Sequence, residues 1–255
     1  MTQPGFIQQL KQKLFFYQTY KIKRYSRKST YTGMLSRKIP RDKIKTVIEL
    51  GARDLRDTFA IKLHYNPKTI YAFEANPVAL SICDKTLKKY WMFRDGIFLI
   101  PKAVWNEEKV IKFYSVQDIK SKPGDKKVNA NIGSSACFGQ TIHTTGEEVI
   151  QKEVDVEAVR LDSFCAKNGV SEIDLLCMDI EGAEYNALIG LGDYISKVNF
   201  IITELYFKPV RSGQACFDVV EPFLKNKGFI LLDTLNDGNP QYSNFLFARS
   251  EIARA

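Results

Sequence analysis

From residue 46 onward, short apolar runs alternate with amphipathic stretches, the texture of successive β–α–β units that build a parallel sheet. Thr46 to Leu50 reads as a first strand, Thr69 to Phe73 as a second and Ile97 to Ile100 as a third, with helices expected near Asp57 to His64 and over Pro77 to Lys89. The same texture returns with a helix at Leu161 to Lys167, a strand at Ile173 to Met178, a strand at Phe200 to Thr203 and a helix at Phe217 to Asn226. Two closing runs, Phe229 to Asp233 and Phe245 to Ala248, flank Asn236-Asp237-Gly238-Asn239-Pro240, a turn-rich connection suited to an antiparallel hairpin. The middle is less regular. Val110 to Val116 and Glu153 to Val159 read as extended segments around a polar stretch containing Pro123, Gly124 and Gly133, taken as a loop over the site. The pattern predicts an α/β fold over 46–255 and a separate appendage over 1–45.

In that appendage Phe6, Ile7, Leu10, Leu14 and Tyr17 recur at spacings of three and four beside Lys11 and Lys13, which predicts an amphipathic helix. Charge separates the same two regions. The net charge is +8, yet residues 1–45 hold twelve Lys or Arg against one acid, Asp42, so the remaining 210 residues carry about −3. The basic stripe fits docking on the core or on a second subunit, or contact with anionic lipid at a membrane periphery. The mildly acidic core argues against a long phosphate-tracking groove, and no DNA partner is expected.

Five cysteines, Cys83, Cys137, Cys165, Cys177 and Cys216, form no C-x-x-C pair, and with only His64 and His143 present no zinc site is expected. No run of apolar residues is long enough to cross a bilayer, and the expectation is a cytoplasmic chain. His64 sits on an amphipathic helix as a structural residue, and His143 falls in the polar loop with Ser134 and Ser135.

Three segments concentrate acids at strand tips, where open α/β sheets bind ligands. Glu49-Leu50-Gly51-Ala52-Arg53-Asp54 ends the first strand with a glycine that lets a ligand approach the backbone. Glu49 would attract a cofactor ammonium, and backbone donors from Gly51 to Asp54 would meet a carboxylate. Glu74-Ala75-Asn76-Pro77 ends the second strand about 20 residues later, the spacing at which an acid accepts both ribose hydroxyls of an adenosine cofactor. Ala103 follows the third strand, near the adenine by position. The third segment, Asp179-Ile180-Glu181-Gly182-Ala183-Glu184, follows an apolar strand.

Taken together with Arg160-Leu161-Asp162-Ser163-Phe164, these segments resemble the FkbM family of methyltransferases over roughly residues 46 to 234. The resemblance implies a class I, Rossmann-like methyltransferase fold: a seven-stranded, mostly parallel sheet whose last strand is antiparallel. It implies S-adenosylmethionine as cofactor, held by Glu49, Gly51 and Glu74 with Arg53, Asp54, Ala75, Asn76 and Ala103 around it, and O-methylation of a sugar or other small polar acceptor. Asp179 would take the acceptor proton. Glu181 and Glu204 would grip acceptor hydroxyls or a divalent cation such as Mg²⁺, though three acids at strand tips do not call for a metal. Tyr206 and Lys208, just beyond Glu204, are further candidates for the acceptor pocket. Leu55 stands where many members have a second glycine, so the loop must be shaped differently.

Rival readings are a nicotinamide oxidoreductase, a nucleic-acid methyltransferase using the basic leader with its Phe15, Phe16, Tyr17, Tyr20 and Tyr25, and a degenerate fold that binds a partner without turnover. The first would need a G-x-G-x-x-G turn for its pyrophosphate, and only one glycine is present.

Overall fold

The computed structural model of the chain describes residues 4–27, 29, 31–120, 135–139, 148–236 and 238–253. Among these residues ten strands form two sheets. The main one comprises β1 (Thr46–Leu50), β2 (Thr69–Phe73), β3 (Ile97–Ile100), β7 (Ile173–Met178), β8 (Val198–Tyr206), β9 (Phe229–Leu235) and β10 (Tyr242–Arg249), in the order β3-β2-β1-β7-β8-β10-β9. β1 lies parallel to β2 and β7, β2 to β3 and β7 to β8, while β10 runs antiparallel to both β8 and β9. Only β10 reverses direction, so the strand tips of β1, β2 and β7 lie side by side at one sheet edge. The predicted strands and helices of this sheet are present, with β8 and β10 extending beyond the apolar runs read from sequence.

The hydrophobic order explains the layering. β7 is buried along its whole length. Its Leu176 and Met178 pack with Ile48, Leu50, Phe73, Leu161 and Leu188 on one face, and its Leu175 and Cys177 pack with Val47, Ile61 and Ile202 on the other. A strand covered on both faces needs a continuous apolar run, which is what Ile173-Asp174-Leu175-Leu176-Cys177-Met178 supplies except at Asp174. That buried carboxylate is satisfied: one oxygen accepts the backbone N–H groups of Lys45 and Thr46, each at 2.8 Å, and so fixes where β1 begins.

Helices α3 (Arg56–Tyr65), α4 (Pro77–Lys89), α5 (Leu161–Lys167), α6 (Glu184–Gly190) and α7 (Phe217–Asn226) connect the strands. Two further helices precede the sheet, α1 (Pro4–Ser26) and α2 (Tyr31–Lys38), and a short one, α8 (Ser250–Ala253), ends it. The predicted leader helix is α1, although the side chains of Phe6, Ile7 and Leu10 lie outside the described residues. Ile22 of α1 is buried with Leu55, Phe59 and Tyr90. The sequence pattern did not reveal α2. Its Tyr31, Met34 and Leu35, with Ile39 and Ile44 after it, bury against Val47, Leu175 and Leu246.

The irregular middle forms the second sheet: β5 (Lys109–Lys120) and β6 (Glu148–Val159) make an antiparallel ribbon, and β4 (Ala103–Val104) joins β6 in parallel. The two extended segments read from sequence are this ribbon. Residues 121–134 and 140–147 between its strands, including Pro123, Gly124, Gly133, Ser134 and His143, lie outside the described residues.

Candidate functional site

A cleft with an empty volume of about 590 Å³ opens over the tips of β1, β2 and β7. Gly51, Arg53, Glu74, Ala75, Ala103 and Asp179 line it together, so six of the residues singled out from four separate stretches of the sequence share one space.

The glycine turn follows from two constraints. Gly51 and Ala52 donate their N–H groups to the Phe73 carbonyl at 3.0 and 2.9 Å, drawing the turn over β2. Gly51 has a φ of 88° and sits so close to the Asp179 carbonyl that a Cβ would overlap that oxygen. The loop then passes through left-handed conformations at Arg53 (φ 51°) and Leu55 (φ 67°). Leu55 tolerates this where a glycine was expected because its side chain is fully buried beside Phe59 and Ile22.

Glu74 is buried at the tip of β2 and held by two backbone donors, Arg53 N–H and Asn76 N–H, each at 2.7 Å on separate oxygens. Burial raises its pKa, and these amides oppose the rise. A carboxylate has roughly four acceptor sites, so acceptor capacity remains for a ligand hydroxyl. The adjoining wall is Ala75, Ala103, Val104, Phe113 and Ala183, small or apolar surface suited to a purine. Ala103 is fixed there from behind. Arg160 forms a two-pronged pair with Asp162, at 3.0 and 2.5 Å, and donates to the Asn106 carbonyl at 2.6 Å, tying the strand after Ala103 to α5.

Asp179 sits half-buried in the opposite wall, its N–H bonded to the Leu50 carbonyl at 3.0 Å. Burial first, and then the charge of Glu181, push its pKa up to about 7, against the pull of Arg53. Lys102, Ser135 and Cys137 also line it; Ser135 belongs to the polar stretch read as a loop over the site, whereas Lys102 and Cys137 were not read as site residues. Ser135 lies in a stretch without hydrophobic periodicity. Burial drives the Cys137 thiol up to about 12, so it presents a neutral surface.

Five other candidates are placed outside the cleft lining. Glu49 points to the far face of β1, where it accepts a hydrogen bond from Thr58; burial and then Asp57 push its pKa to about 8. Asp54 pairs with Arg56 at 2.9 Å, and its carbonyl accepts the Tyr25 hydroxyl at 2.6 Å. Asn76 caps α4 through Val78 N–H at 3.0 Å and links to Ser115 of β5 at 3.1 Å and to Ser135, between β5 and β6, at 3.0 Å. Glu181, at φ 55°, is paired with the buried Arg211 at 2.5 Å. Glu204 sits on β8 opposite Asn244 of β10. Glu184 turns back to accept the Ile180 N–H at 3.0 Å, a helix-start role. Arg211 escaped sequence reading because its partner is 30 residues away in the chain. Of the remaining candidates, Tyr206 is buried with its ring under Arg211, Lys208 is exposed, and His64 stacks edge-on against Tyr65. Among the described residues, no group of three or more His, Cys, Asp or Glu side chains is arranged to hold a metal ion.

The methyltransferase FkbM domain matches residues 49–231, a span that contains the glycine turn, Glu74 and Asp179. The chain is 26% identical over 169 residues to the 2-O-methyltransferase NoeI of Sinorhizobium fredii, covering 66% of each, and 30% identical over 106 residues to the AMB antimetabolite synthetase AmbE of Pseudomonas aeruginosa, covering 38% of this chain and 5% of that one. Among solved structures, a methyltransferase FkbM from Methylobacillus flagellatus superposes with a TM-score of 0.57 at 13% identity, over 88% of this chain and 47% of the other. The chain thus spans just under two thirds of NoeI and about half of the FkbM structure. The match over most of its sheet and over every segment that builds the cleft makes this chain a member of the FkbM methyltransferase family.

Proposed function

We propose that this chain is an S-adenosylmethionine-dependent O-methyltransferase whose acceptor is a hydroxyl of a carbohydrate or similar small polar molecule, with Asp179 as the base. The observation that carries this reading is the convergence of Gly51, Glu74 and Asp179 on one cleft. The lining fits the cofactor: the Glu74 carboxylate would accept from the ribose, the alanine and phenylalanine wall suits adenine, and Arg53 would meet the amino-acid carboxylate. When bound, S-adenosylmethionine supplies a methyl group on a sulfonium. The name of NoeI, a 2-O-methyltransferase, supports an oxygen acceptor.

The residues of this chain align and deprotonate. Asp179 accepts the proton of the attacking hydroxyl, and a carboxyl titrating near neutrality is both ionised and basic enough to do so. Glu181 keeps that value high by its charge, and its pairing with Arg211 fixes where the charge lies.

The direct test is transfer of labelled methyl from S-adenosylmethionine to a panel of sugars, nucleotide sugars and glycan intermediates; incorporation into a hydroxyl supports the reading, and incorporation into RNA alone overturns it. Asp179 must be unprotonated to act, so activity is lost as pH falls through its pKa. We expect kcat/KM to decline about tenfold per unit below a pH of about 7. A profile without an acidic limb contradicts the assignment. Glu74→Gln replaces one acceptor oxygen by a donor facing Arg53 N–H or Asn76 N–H, and should weaken S-adenosylmethionine binding roughly 10- to 100-fold by titration calorimetry. Unchanged affinity would separate Glu74 from the ribose.

A further inference from the structure

The cleft leaves the leader helix unexplained. Ile22 anchors α1 on α3 and Tyr90, and Phe15 meets Phe93 with ring centroids 5.8 Å apart. The half of the helix turned away from Ile22 carries Phe16, Tyr17 and Tyr20, which are 64, 53 and 64% exposed, interleaved at helical spacing with Lys13 and Arg24. Exposed aromatic rings in such density mark an interaction surface, since each leaves apolar area in water. Beside it, a groove between α1 and the end of α4 is walled by Tyr17, Tyr20, Lys21, Arg24, Lys89 and Tyr90, with no carboxylate in its lining. Trp91, 54% exposed, extends the aromatic surface past α4.

From this arrangement we infer that α1 and the end of α4 form a docking surface for an anionic phospholipid bilayer. The charge is complementary: among the described residues none of Lys21, Arg24 and Lys89 is ion-paired with a carboxylate, and α1 contains no acid. Aromatic rings with basic neighbours on one helix face are the pattern of interfacial helices, the rings entering the headgroup boundary and the cations meeting lipid phosphates. A single-stranded nucleic acid fits less well, because Phe16 and Leu14, 64 and 43% exposed, lie outside the groove, and Leu14 has no face on which a base stacks. The surface is joined to the cleft: the Tyr25 hydroxyl donates to the Asp54 carbonyl at 2.6 Å, one residue from Arg53 in the cleft wall.

The test is co-sedimentation of the full chain with phosphatidylcholine vesicles, with and without phosphatidylglycerol. Binding should require phosphatidylglycerol and weaken with salt. Lys21→Gln with Arg24→Gln should reduce it about 30-fold, and Phe16→Ser with Tyr20→Ser roughly 100-fold. Circular dichroism and melting temperature should match the parent in both variants. Equal binding to neutral vesicles, no binding, or binding unchanged in both variants overturns the proposal. So does preferential capture of single-stranded RNA, or a dimer in sedimentation equilibrium that Phe16→Ser with Tyr20→Ser dissolves, which would give the face to a second copy.

Discussion

Asp179→Asn should lower turnover by roughly 100-fold or more while S-adenosylmethionine affinity stays within about threefold of the parent. The substitution keeps the shape of the side chain and replaces a basic carboxylate by an amide too weakly basic to take the proton. The cleft wall it occupies is otherwise retained, since the backbone of residue 179 is fixed by its bond to Leu50 and by the close fit of its carbonyl against Gly51. The fold should gain slightly in stability near neutral pH, because a half-buried charge repelled by Glu181 disappears. Single-turnover methyl transfer with calorimetric binding separates these effects. Near-parental turnover would remove Asp179 from the chemistry; loss of cofactor binding alone would make it a binding group.

Gly51→Ala should cost about 2 to 4 kcal/mol of stability and abolish measurable cofactor binding. The φ of 88° is unfavourable for alanine, and the added methyl meets the Asp179 carbonyl, an atom of the backbone that cannot swing aside. Relief requires the tips of β1 and β7 to part, which breaks the Asp179 N–H bond to Leu50 and moves the glycine turn from its bonds to Phe73. Melting temperature reports the strain, and calorimetry below the transition reports the binding. A variant with parental values in both would show that the turn has slack.

The sheet was legible because parallel strands buried on both faces must be continuously apolar, and the acids that end those runs, Glu74 and Asp179, then stand out and line the cleft. The alternation along β1 also put Glu49 and Leu50 on opposite faces, but nothing local says which face the cleft takes; it takes that of Leu50, leaving Glu49 with Thr58. Asn76 follows Glu74 so closely that it reads as a ligand, yet its side chain caps α4 and holds the ribbon sheet. Glu181 reads as free until the loop carrying Arg211 folds back onto it. The helix α2 was hidden because eight residues containing Gly33 and four Lys, Arg, Ser or Thr carry little helical signal, and its order comes from the tertiary burial of Tyr31, Met34 and Leu35.

All of this depends on an adenosine lying across Glu74 and Gly51 with its reactive end at Asp179. Titration calorimetry of the parent chain against S-adenosylmethionine and against NAD decides it in one comparison. The geometry predicts one-to-one binding of S-adenosylmethionine and no heat with NAD, whose diphosphate needs glycines this turn lacks; binding of NAD without S-adenosylmethionine would contradict it.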